Sequence, residues 1–137
     1  MQDHYNLTDE VFEQQFRDCS LDPSTFSHEA HLRLAWIHIQ KYGIQQALTN
    51  IQTQLKNFVK HLGAEDKYNT TLTIAAVKAV YHFMLKSPST SFKDFIQENP
   101  RLNFAFKSLI ESHYSFDVFE NENAKHQFLE PDVSPFD

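Results

Sequence analysis

His28 and His31 stand three residues apart in FSHEAHLRLAWIHI, residues 26–39. At about 100° per residue, a helix places them about 60° apart and roughly one turn from each other, on one face. Two imidazoles so arranged can ligate one transition-metal ion or hydrogen-bond one small molecule. Either ring is also a candidate general acid or base, so the residue types leave binding and catalysis both open. The plainer alternative is a polar helix entrance whose histidines bond to nearby backbone and water.

The metal signatures closest to this pattern are missing. His28-Glu29-Ala30-His31 is one residue short of the metalloprotease H-E-x-x-H. Glu29 also projects off the shared face, about 100° from His28 and about 160° from His31. No E-x-x-H of a di-iron bundle and no His-Asp dipeptide occurs. His38 follows His31 on nearly the same face, but about 10.5 Å along the axis, too far to share an ion. A catalytic zinc site uses three protein ligands, and the pair supplies two. Arg33 is expected on another face or against a carboxylate, and Trp36 in the core.

Helical signals run almost throughout the chain that must position these residues. Thr8 caps a helix over 9–19, with Asp9 and Glu10 in its first turn where the dipole favours acids. Ser27 caps a second over 28–41, closed by Gly43. Ile44, Ala47, Leu48, Ile51, Leu55, Phe58, Val59 and Leu62 recur at steps of three and four, a third helix ending at Gly63. A fourth covers roughly 70–86 and stops at Pro88. Ser91 caps a short helix to Glu98, another spans 102–114, and a last one about 116–128. These patterns predict an all-α fold, a compact single-domain bundle of six or seven helices over residues 1–137. Residues 1–6 are read as a frayed end, and residues 130–137 as a tail that frays or wraps the surface.

A second polar segment, KYNTTLTIAA at 67–76, opens the fourth helix with Tyr68, Asn69, Thr70, Thr71 and Thr73. Capping accounts for threonines at a helix start, although Thr73 lies beyond the cap turn. The N–H groups at such an entrance can also attract an anion.

Together the two segments resemble a family of uncharacterised bacterial all-helical proteins with F-x-H-x-x-H-L-R-x-A-W followed by Y-H-x-T-x-T. Phe26, His28, His31, Leu32, Arg33, Ala35 and Trp36 carry the first motif, and Tyr68, Thr71 and Thr73 the second. FIQENPRLN is similar to the family's N-P-x-L turn through Phe95, Asn99, Pro100 and Leu102. The closing P-D motif is matched by Tyr114, Ser115, Ala124, Phe128, Pro131 and Asp132.

The resemblance implies a pairing of the two helix entrances, and no established activity comes with it. It points to a pocket for a small molecule or metal lined by His28, His31, Tyr68, Asn69, Thr71 and Trp36, beside Phe26. Two departures stand out. Asn69 replaces the motif's His, and Lys125 its closing Arg. An amide oxygen is a poor ligand for a transition metal. The cofactor is therefore open: a transition metal on His28 and His31, or no metal and a hydrogen-bonded small molecule.

Composition narrows the partners. The net charge is −6 and the twelve basic residues are scattered, so neither a nucleic-acid footprint nor polybasic membrane attachment is expected. Two glycines rule out G-x-G-x-x-G and Walker loops. A polar N-terminus, a lone Cys19 and no spanning apolar run suggest a cytoplasmic location. Seven phenylalanines (Phe92, Phe95, Phe104, Phe106, Phe116, Phe119 and Phe128) form a C-terminal aromatic core or leave a patch for a partner or homodimer. The alternative to a ligand pocket is thus a non-catalytic interaction or dimerisation module whose histidine motif is structural.

Overall fold

Every regular element among residues 3–136, the part described by the computed structural model, is helical. Eight α-helices follow in order: α1 (Asp9–Arg17), α2 (His28–Tyr42), α3 (Ile44–His61), α4 (Thr70–Met84), α5 (Phe92–Glu98), α6 (Pro100–Phe104), α7 (Phe106–Glu111) and α8 (Glu122–His126). The chain divides into two compact units, Met1–Tyr68 and Asn69–Asp137, where the sequence suggested one domain.

In the first unit α2 packs mainly on α3, and α1 touches both. Thr8 and Ser27 cap α1 and α2 through side-chain oxygens that accept the Val11 and Ala30 N–H groups, each at 3.2 Å. Gly43 both ends α2 and starts α3, at φ +83° and ψ 166°, a conformation that residues with a Cβ rarely adopt. Phe12 and Phe16 of α1, and Ala47, Ile51 and Phe58 of α3, are buried at helical spacing. Along α2 every residue from Leu32 to Ile39 is buried.

That buried run includes Arg33, which ties the N-terminal segment to α2. Its Nε and Nη2 donate to Asp9 Oδ1 at 3.1 and 2.7 Å. Nη1 donates to the His4 carbonyl at 2.6 Å, and Nη2 to the Leu7 carbonyl at 2.8 Å. Its guanidinium also lies 5.0 Å from the Phe12 ring centroid and 5.7 Å from that of Tyr5. His4 is buried and its Nε2–H donates to Glu29 Oε1 at 2.8 Å. The 3-10 turn His4–Asn6, capped by Asp3, is thus held against α2 instead of fraying, while residues 1 and 2 lie outside the described part.

The second unit gathers around Ala75, Ile110, Tyr114, Val118, Ala124 and Phe136, flanked by Leu72, Phe106, Phe116, Phe119 and Leu129. Two expected helices are corrected here. The helix over 102–114 is two short ones, α6 and α7, broken at Ala105 (φ −135°, ψ 32°). Alanine has the highest helix propensity, so the break runs against local preference; Leu102 before it and Ile110 after it are both fully buried. The helix over 116–128 shrinks to α8. Asp117 Oδ1 accepts the Phe119 N–H at 3.0 Å in a local turn, and Asn121 restarts the helix by capping Ala124 N–H at 3.0 Å.

The tail is stitched down as far as residue 136. Tyr114 Oη donates to the Leu129 carbonyl at 2.7 Å, Ser115 N–H to Asp132 Oδ1 at 2.8 Å, and Val133 N–H to the His113 carbonyl at 3.0 Å. Phe136 is buried and Asp137 lies outside the described residues. Residues 130–136 therefore wrap the unit.

Candidate functional site

The entrance of α2 is built on an aromatic platform. The rings of Phe16, Phe26 and Phe58 meet with centroids 5.0 to 5.2 Å apart. His31 stacks on Phe26 at 3.7 Å with 22° between ring planes. This explains the F-x-H-x-x-H spacing within the first unit: Phe26 precedes the cap, and His31 returns over it after one turn. His28 is the first residue of α2 and is exposed.

His31 keeps a solvent-open surface, yet its charged form is disfavoured. Desolvation by the surrounding protein, and secondarily the charge of His28, push its pKa down to about 4. It is therefore a neutral imidazole at physiological pH. Neither ring nitrogen has a hydrogen-bond partner among the described residues, and the ring stacks on Phe26. An NMR titration of the His31 ring is expected to show no protonation near pH 6.5 and a midpoint near 4. A midpoint near the ordinary histidine value would contradict this environment.

A second imidazole is buried deeper in the same unit. His38 is fully buried, and Asn50 Nδ2 donates to its Nδ1 at 3.3 Å, which assigns the proton to Nε2. That Nε2 has no hydrogen-bond partner among the described residues. Beside it, the buried Glu13 carboxylate accepts from Lys41 Nζ and Tyr42 Oη, both at 2.6 Å. Burial alone would raise the Glu13 pKa, but these hydrogen bonds and the Lys41 charge hold it below the usual carboxylate range. Burial likewise lowers His38, against the pull of Glu13.

These directions give the pH dependence a definite sign. With both His31 and His38 lowered in the folded state, the unfolded chain takes up protons first as pH falls. Their contribution to stability is complete above about pH 6.5 and is lost progressively below it. Urea unfolding at about pH 5.5 is expected to show a lower midpoint than at about pH 7.5. Equal midpoints would refute the assignment.

At the entrance of α4, in the second unit, the polar cluster is committed to protein. Asn69 Oδ1 caps the helix by accepting the Leu72 N–H at 2.9 Å, and its Nδ2 donates to the Val118 carbonyl at 3.2 Å. Thr70 Oγ1 donates to the Lys125 carbonyl at 2.9 Å. Thr71 Oγ1, fully buried, donates to the Gln127 carbonyl at 2.8 Å and accepts the Leu129 N–H at 3.0 Å. Thr73 bonds back to the Asn69 carbonyl at 2.8 Å. These bonds account for Asn69 and Thr71 without a ligand.

The remaining sequence-derived candidates fall within the first unit. Trp36 is buried in the middle of α2. Tyr68 is half-buried after a 3-10 turn (Glu65–Lys67), with Lys56 Nζ 5.3 Å from its ring centroid. Local spacing gave no sign of the His4–Arg33–Asp9 or Glu13–Lys41–Tyr42 groupings, whose members lie 24 to 29 residues apart. Among the described residues, no group of three or more His, Cys, Asp or Glu side chains is placed to hold a metal ion. The two imidazoles at 28 and 31 stay one ligand short of a catalytic zinc set. Nor is any described helix long and apolar enough to cross a membrane. Comparison with protein-family models, curated proteins and solved structures returns no match.

Proposed function

We propose that this helical protein binds a small polar molecule through the α2 entrance, with His31 as the central hydrogen-bonding group and His28 beside it. The observation that carries this reading is His31 itself: stacked on Phe26, open to solvent, neutral, and with no described protein partner at either ring nitrogen. Other residues of the same motifs have other occupations. Arg33 holds the N-terminal turn, Leu32, Ala35 and Trp36 are buried, and Asn69, Thr71 and Thr73 hold backbone. A neutral imidazole offers one donor and one acceptor, which suits a hydroxyl or amide ligand. A metal reading needs a third donor from the ligand or from water.

The test is a fragment screen of small alcohols and amides, read on the ring resonances of all eight histidines. Saturable shifts at His31 and His28 that disappear in His31→Ala are expected. Fragments that leave both rings unmoved would favour the non-catalytic interaction module instead. A stoichiometric zinc bound to the unsubstituted chain would turn the reading towards metal.

A further inference from the structure

We propose that the second unit carries a separate site for a small organic carboxylate, in a cavity of about 310 Å³ between α4, α6, α7 and the C-terminal tail. Its polar lining includes Arg101, His82 and His113, and none of the described residues that line it is an Asp or Glu. In a chain of net charge −6, a described lining that carries the Arg101 cation and no Asp or Glu side chain favours an anion. Arg101 is exposed on α6 and makes no ion pair or hydrogen bond with its side chain among the described residues, so its planar fork is available for two-point recognition of a carboxylate.

Phe83, Leu109 and Phe136 supply an apolar part of the wall, and Ser112 and Ser134 add further polar groups. One wall is held in place by His113. Its Nδ1–H donates to the Ser134 carbonyl at 2.7 Å, and its ring lies 4.3 Å from that of Phe136. That bond commits Nδ1 to the scaffold and leaves Nε2 as the ring's remaining polar atom. The volume is at the small end of the range for ligand sites. At about 30 Å³ per water-sized group it has room for about ten non-hydrogen atoms. An aromatic or branched acid of that size would set its carboxylate on Arg101 and its body against the phenylalanines.

The experiment uses benzoate as the probe and benzamide as its neutral isostere, each titrated into the full chain and followed by NMR. Benzoate is expected to shift the Arg101, His82, His113 and Phe136 resonances saturably, and benzamide to bind about tenfold more weakly or worse. Arg101→Gln should weaken benzoate by about tenfold and leave benzamide unchanged. Equal affinity for the two probes, unsaturable shifts, or benzoate binding undiminished in Arg101→Gln would each overturn the site. Should that variant misfold, the benzoate-to-benzamide ratio on the unsubstituted chain decides alone.

Discussion

Arg33→Ala is expected to destabilise the first unit by about 3 kcal/mol and to release residues 4–9 from α2. The guanidinium is buried and its donors serve two backbone carbonyls, His4 and Leu7, as well as the Asp9 carboxylate. Truncation removes every one of these bonds at once. It leaves the His4 and Leu7 carbonyls without these donors, and it deletes the cation above Phe12 and Tyr5. Asp9→Asn should cost less than about 1 kcal/mol, because the Asp9 side chain is 51% exposed and an exposed pair is screened. Urea unfolding measures the loss, and hydrogen exchange over residues 4–17 shows where it falls. If Arg33→Ala and Asp9→Asn cost the same, the ion pair dominates and the carbonyl bonds matter little.

Asn69→Asp is expected to cost the second unit about 2 kcal/mol while keeping α4 capped. The carboxylate can still accept the Leu72 N–H, but it has no donor for the Val118 carbonyl, which it then faces as an anion. Asn69→Ala removes the cap too and should lose about 1 kcal/mol more. Thr71→Val keeps the shape of the side chain and strands both the Gln127 carbonyl and the Leu129 N–H, for about 2 kcal/mol. In all three variants, hydrogen exchange should rise first over residues 118–129. A loss confined to the first turn of α4 would mean that these residues serve the helix cap alone.

The legible parts of the fold were those written in short-range pattern. Thr8, Ser27 and Ser91 cap the helices that their positions predict, and the three-and-four spacing of Ile44 to Phe58 matches α3. The C-terminal third resisted because its determinants are turn bonds and long-range packing. Asp117 and Asn121 interrupt a sequence whose apolar spacing suits one helix. At the α2 entrance the histidines and their shared face were readable from spacing. The stacking of His31 on Phe26 and its neutrality were not, because desolvation depends on the protein gathered around the ring and not on its neighbours in sequence. The α4 threonines read as caps or an anion site, and the actual partners of Thr70 and Thr71 lie 55 to 58 residues downstream, beyond any periodicity.

That downstream direction sets an order of events on the ribosome. Arg33 reaches back to residues 24 to 29 positions earlier, so its bonds can close as soon as α2 emerges. Thr71 must wait for Leu129, 58 residues later. At a translation rate of about 5–20 residues per second, the wait is about 3–12 s. Through that interval the newborn α4 carries Ala75, Val77 and Val80 without the segment that fastens its entrance. The first polar tie is made on the chain already present, and the second only on chain still to come.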